Sequence, residues 1–310
     1  MALLILWPTS SVAQSQPKKS DCEPIGRILK SSQQNLVGQL ICSGSKIVPF
    51  APGRFVLCYF NPSQQQCHPK ERTRNSNLEK CPLPSRSFCK RMKGGSHTEK
   101  PTIITPLGRW LLETRPKFSW SAVPGATKYR LEVESHRKGL WSKITSSTSL
   151  KYPDEQAPMS PENIYKVSVI AYKDDAPIVA DSSIFRLLES VKFKQLQQTI
   201  QLINRLNIDP DQKVYLDLNA AYLNEGLLDQ SIKTLEERVQ AGSEHPEIFR
   251  VLAERYIDAG LPDRARKQYI KAIHLAKLQG NQVALKKAME GLQALDQYQN
   301  QLPERKNGAQ

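Results

Sequence analysis

The chain has 310 residues, a formal net charge of +14 at pH 7, 39% hydrophobic and 24% charged residues. That length accommodates two or three domains, and the balance is that of a folded chain rather than a disordered one. Beyond the N-terminus no apolar run reaches membrane-spanning length, which excludes further spanning helices.

The charge is uneven: residues 1–100 carry +10, whereas residues 101–190 and 191–310 carry +2 each. The chain opens MALLILWPTSSVAQ, an apolar run from Ala2 to Trp7 followed by the small-x-small pattern Ser11-Val12-Ala13. Residues 1–13 therefore read as a signal peptide, here without a basic leader and so as the end of a longer one. The mature chain is expected to be exported to the periplasm or cell envelope.

Residues 21–100 hold all six cysteines: Cys22, Cys42, Cys58, Cys67, Cys81 and Cys89. An even count in one short region of an exported chain reads as a disulfide framework. A metal site is the rival, with Cys58, Cys67, His68, Cys81 and Cys89 as ligands. The closely spaced CxxC pairs usual in structural zinc sites do not occur, which favours disulfides. Short apolar runs at 38–42 and 54–59 predict strands separated by turns. The run IGRILKSSQQNLVGQLICSGSKIVPF, with Ile25, Gly26, Gly38 and Ile47, is similar to small β domains of the FecR type.

Residues 101–188 alternate with period two. Phe118, Trp120, Tyr129, Leu131 and Val133 do so first, then Tyr165, Val167, Val169 and Ala171, with turn residues between. This predicts antiparallel strands with one buried face. Trp110 and Trp141 fall outside the strongest alternation and are better candidates for surface contact than the other aromatics, although core packing is the favoured reading for them too. The segment resembles a fibronectin type III domain: Trp120 matches its strand-B tryptophan, Tyr129 its strand-C tyrosine, and Tyr165 in MSPENIY its tyrosine corner. The resemblance implies a β-sandwich with these aromatics in the core.

Residues 189–300 are helical and repeat themselves. LNAAYLNEGLLDQSIKTLEERV (218–239) and LAERYIDAGLPDRARKQYIKAI (252–273) align at a spacing of 34. Leu218/Leu252, Tyr222/Tyr256, Gly226/Gly260, Leu227/Leu261, Asp229/Asp263 and Lys233/Lys267 are identical pairs, where chance gives roughly one or two. Tyr215, Leu218, Asn219 and Tyr222 share one helical face. The glycines end the first helix of each pair, and the aspartates open the second. Ser231 and Ala265 keep the helices close. Tyr256 and Tyr269 read as core, and Lys267, Lys271 and His274 as a solvated face. A helix through Phe193, Leu196, Ile200, Ile203 and Leu206 precedes the repeats. Another, through Val283, Leu285, Ala288, Met289, Leu292 and Leu295, follows them. Residues 301–310 are polar and expected to be disordered.

The 34-residue pattern resembles the tetratricopeptide repeat family. The resemblance implies a groove lined by helix A residues that do not pack inward: Leu216, Ala220, Leu223 and Asn224, then Arg250, Glu254, Ile257 and Asp258. The family's carboxylate clamp needs a lysine and an asparagine one turn apart on helix A. Leu216 and Ala220 stand there in repeat one, and Arg250 and Glu254 in repeat two, which argues against a C-terminal carboxylate as ligand.

Catalytic motifs fail on their partners. Ser43-Gly44-Ser45-Lys46, and Ser15 with Lys18, fit Ser-x-x-Lys but lack the companion motifs of penicillin-binding enzymes. Ser96-His97 are merely adjacent, whereas triads are assembled in space. No nucleotide, zinc-protease or EF-hand motif occurs. No enzyme activity, cofactor or metal is expected. Nucleic acid is an improbable partner for an exported chain, whereas Lys90, Arg91 and Lys93 suit anionic polymers, lipid headgroups or acidic proteins.

The fold class expected is therefore a disulfide-containing small β domain, then a fibronectin III-like sandwich, then an all-α tetratricopeptide solenoid. The function expected is a non-enzymatic envelope scaffold that binds proteins through the solenoid groove. The alternative is an envelope glycan or anionic-polymer binder using residues 21–100.

Overall fold

The computed structural model describes residues 24–31, 34–42, 56–60, 100–135, 139–161 and 163–301. The leader at 1–13, the Ser-x-x-Lys runs, Ser96-His97, the basic run at 90–93, Ile47 and His68 lie outside them, as do Cys22, Cys67, Cys81, Cys89 and most of the C-terminal tail. Among the described residues no helix is long and apolar enough to cross a membrane, and no cluster of His, Cys, Asp and Glu could hold a metal ion.

The first strands, β1 (Pro24–Lys30), β2 (Leu40–Cys42) and β3 (Val56–Tyr59), form an antiparallel sheet in the order β2-β1-β3.

Eight strands follow: β4 (Ile103–Thr105), β5 (Trp110–Leu111), β6 (Lys117–Trp120), β7 (Lys128–Ser135), β8 (Gly139–Thr145), β9 (Ser149–Lys151), β10 (Ile164–Lys173) and β11 (Ala176–Leu187). They make a three-stranded sheet, β4-β6-β9, and a five-stranded one, β5-β11-β10-β7-β8. Successive side chains of a strand point to opposite faces, so the alternation along β7 and β10 puts Leu131, Val133, Val167 and Val169 on the buried side. Phe118 and Trp120 of the smaller sheet meet them in one core. Trp120 packs edge-on to Tyr129 at 5.7 Å. The Tyr165 hydroxyl accepts a hydrogen bond from the Ser160 amide at 2.6 Å. Trp141 is half-buried, edge-on against Tyr152 at 5.4 Å.

The helices are α1 (Ser190–Asn204), α2 (Pro210–Gln212), a π-helical stretch (Lys213–Leu218), α3 (Asn219–Asn224), α4 (Leu228–Gln240), α5 (Pro246–Asp258), α6 (Pro262–Leu278) and α7 (Gln282–Gln301). The backbone stays helical from α2 to α3, so the first helix of repeat one runs through the π stretch. The two repeats end their first helices identically. Gly226 and Gly260 adopt φ of 72° and 76°, and the amides of Leu227 and Leu261 reach back to the carbonyls of Tyr222 and Tyr256 at 2.9 and 2.8 Å. That closure requires a left-handed residue, which glycine supplies at least cost. Inside repeat one, the Ser231 hydroxyl meets the Asn219 side-chain oxygen at 2.8 Å, where repeat two places Ala265 against Ala253, both fully buried. Tyr256 and Tyr269 are buried, and Lys267, Lys271 and His274 are exposed.

The three parts are packed on one another. Leu107, in the loop between β4 and β5, joins the core built by α4, α5, α6 and α7, and its amide donates to the Asp229 carboxylate at 3.2 Å. Lys233 pairs with Glu113 at 3.0 Å. Trp110 lies against the turn at Gly226: a Cβ added there would stand 3.0 Å from its ring.

Gly291 marks the closest approach of α7 to α6. A Cβ at this position would lie 2.5 Å from the Tyr269 ring. Alanine raises helix propensity by about 1 kcal/mol over glycine, but Tyr269 is buried and its ring cannot yield. Overpacking of this kind costs about 1–3 kcal/mol. Gly291→Ala is therefore expected to lower the melting temperature of the full chain. The exposed neighbour change Gln293→Ala should leave it within a degree or two, and equal melting of both variants would show that the contact is not tight.

Candidate functional site

The inner face of the helical array begins with the residues expected to line it. Leu216, Leu223 and Asn224 are half-buried. Ala220 is 3% exposed and Ile257 is 3% exposed. These two are corrections to the expected groove. Ile257 belongs to the core of α4 to α7, and Ala220 belongs to a core shared with Leu29 of β1. Neither presents a side chain to a partner in this conformation. Leu223 packs against the same core as Ile257.

Arg250 and Glu254 are placed side by side on α5, where residues one turn apart are neighbours. Arg250 donates to Glu247 through Nε at 2.9 Å and Nη2 at 2.7 Å, and its Nη1 meets Glu254. One guanidinium thus serves two carboxylates. Burial pushes the Glu247 carboxyl up, but the charge and hydrogen bonds of Arg250 outweigh it and hold the group below the usual range. Arg250 in turn is held protonated by Glu254 and Glu247 against the cost of its own burial. Arg255 pairs with Asp258 at 3.1 Å. The charged groups of this face are therefore largely matched within one helix, with Glu254 and Asp258 still partly open to solvent.

The strongest electrostatic feature lies next to this face and was not anticipated. Arg27 on β1 is 2% exposed and Asp217 in the π stretch is 0% exposed. Arg27 Nε donates to Asp217 Oδ1 at 2.8 Å. Its Nη1 donates to the Gly38 carbonyl at 2.6 Å, and its Nη2 to Gln212 Oε1 at 2.9 Å. Asp217 Oδ2 is buried and has no hydrogen-bond partner among the described residues. Burial pushes the Asp217 carboxyl up to about 6, opposed by the charge and hydrogen bond of Arg27 and by Lys213. At 2.8 Å the contact with Arg27 is an ion pair by its geometry.

Around the pair, Leu29, Val37 and Phe60 from the N-terminal part pack with Ala220, Ala221 and Tyr222 from the first repeat. The sheet thus sits where α1 and α3 meet. A signal for Asp217 was present in the repeat alignment. At the 34-residue spacing its counterpart is Val251, a core residue of α5. An acid in a position that the other repeat fills with valine marks a departure from scaffold. Arg27 carried no comparable signal, because its partner is 190 positions away.

No protein-family model matches the chain, and no curated protein matches it. Among solved structures it is similar to PcrH from Pseudomonas aeruginosa. The TM-score is 0.28 and the identity 20%, over 34% of this chain and 87% of that one. A likeness this slight has no bearing on function. The C-terminal region is tetratricopeptide-like on its own evidence, the repeated helix pairs and their identical turn closures.

Breaking a buried ion pair from one side costs about 3–5 kcal/mol, whereas replacing both partners by apolar groups is often neutral. Arg27→Met and Asp217→Val are each expected to destabilise the full chain by about that amount. The double variant, which gives repeat one the valine that repeat two already has, should return to within about 1 kcal/mol of the parent. Urea denaturation of the four proteins measures this, and additive losses would show that the two residues do not act as a pair.

Proposed function

We propose that the chain is an exported, non-enzymatic scaffold that binds protein partners at the bacterial cell envelope through the inner face of its helical array. The observation that supports this most is the duplicated helix pair with matching turns, which sets the inner faces of two successive first helices side by side. On that surface Leu216, Asn224, Arg250, Glu254 and Asp258 keep partial exposure. A surface of one leucine, an amide and three charged groups suits a protein segment better than a small molecule, whose pockets are mostly apolar. The chain needs no cofactor or metal for such a role.

The sandwich fits the reading as a fibronectin III-like spacer or docking module. Its three-plus-five strand arrangement and the Tyr165 hydroxyl turned back to the Ser160 amide support that assignment. The array and the sandwich share the core around Leu107, so the sandwich would hold the array at a fixed angle. The alternative function, capture of an anionic envelope polymer, draws its support from the charge of +10 on residues 1–100. Nucleic acid is not the partner proposed under either reading.

Co-purification from the native envelope followed by mass spectrometry tests the scaffold. Changing Leu216 to Ser, Asn224 to Ala and Glu254 to Ala together should cost partner capture about tenfold or more while the protein stays folded. Full retention of every partner by this variant, with binding to isolated wall polysaccharide, would transfer the function to residues 21–100. Export carries its own expectation. All six cysteines should be oxidised, so thiol labelling of protein denatured without reductant should find none free, and two or more free thiols with bound zinc would favour the metal site.

A further inference from the structure

We propose that Asp217 and its apolar surround form a guanidinium-binding site on the first repeat, filled in cis by Arg27 of β1, whose intended ligand in trans is an extended protein segment presenting an arginine between apolar residues. The proposal rests on the scaffold reading and deepens it by naming the chemistry of one partner contact.

Three observations carry it. The packing of the repeat itself does not call for an acid, because repeat two builds the same position from Val251. Burying a carboxylate is costly, so an acid that the repeat does not call for marks the position as one built to receive a cation, as it does Arg27 here. The site also sits on the π-helical stretch Lys213–Leu218, and π turns inside α-helices concentrate at functional sites. Finally, the cis occupant fits imperfectly. Arg27 reaches Asp217 through Nε alone, and its two terminal nitrogens are engaged by Gly38 and Gln212. Asp217 Oδ2 is left buried and unpartnered among the described residues. An arginine arriving from a different backbone can offer the paired, fork-shaped contact that satisfies both oxygens, the stronger geometry for this pair. Lysine, a single point charge, cannot.

The apolar requirement follows from the walls. Leu29 of β1 packs in one core with Ala220, Ala221 and Tyr222. A segment replacing β1 needs an apolar residue near its arginine to keep these side chains out of water. The cis segment itself, PIGRILK at 24–30, has that composition and so defines the probe.

The experiment uses the full chain and a labelled synthetic peptide PIGRILK, with a second peptide carrying Gln in place of Arg. Fluorescence anisotropy should show the Arg27→Gln protein binding the arginine peptide about tenfold or more tighter than the glutamine peptide. The Arg27→Met, Asp217→Val double variant, which lacks the acid, should bind neither. Where Arg27→Gln leaves too little folded protein, hydrogen exchange of the wild type with excess peptide decides. The arginine peptide should speed exchange of the β1 amides, Ile28 among them, and the glutamine peptide should not. Equal binding of both peptides, or unchanged exchange at saturating arginine peptide, would reduce Arg27–Asp217 to a structural clamp. A chain that captures partners through α5 yet never takes the peptide loses this inference and keeps the scaffold reading.

Discussion

Taking Arg27 and Asp217 out of water costs several kcal/mol per ion, and the recovery depends on four groups standing in one place. Asp217 comes from the π stretch, Gln212 from the helix before it, Gly38 from the loop entering β2, and Arg27 from β1. A rotation of the sheet against the first repeat breaks several of these contacts at once and leaves a charge stranded. The N-terminal strands, the first repeat and α1 are therefore tied to a single relative orientation. The apolar contacts of Leu29 and Ala220 supply area in that arrangement, but area alone is non-directional. The ion pair supplies the register.

A second lock works from the other side. Leu107 enters the array's core and Trp110 closes over the turn at Gly226. The turn closures within the array are local, each spanning a few residues, and would form in an isolated helix pair. The locks join residues far apart in sequence. An array cut from the rest would keep its turns and lose the covers over Ala220 and Gly226. Repeat proteins gain their stability from nearest-neighbour contacts and need capped ends, and here α1 and β structure together cover the N-terminal end.

Much of the helical architecture was legible from residues alone. Leu218/Leu252, Tyr222/Tyr256 and the paired glycines announce a period, and a period is a local property that survives without knowledge of the fold. The alternation through Leu131, Val133, Val167 and Val169 announces a sheet with one wet face in the same way. The groove was legible only in part. Periodicity tells which way Ala220 and Ile257 turn on their own helices, but whether another element covers them is a long-range fact. Arg27 stands in a short strand between Gly26 and Ile28, and nothing in that local sequence points to an acid in the first repeat. Asp217 could have been flagged against Val251, and Gly291 could have been flagged as a glycine inside a helix. Neither residue names its partner, and the partner is what gives each its meaning.

The sealing of one end by β structure has a consequence for how such a chain can lengthen. A 34-residue unit inserted between α1 and α4 would carry Asp217 away from Arg27, or the Gly226 turn away from Trp110, and would open a core wherever it went. Among the described residues no such tie is found after α6, and Val283 and Met289 of α7 face outward over half exposed. A unit added after α6 leaves both of those ties in place, so it lengthens the array without disturbing the contacts of Asp217 and Gly226.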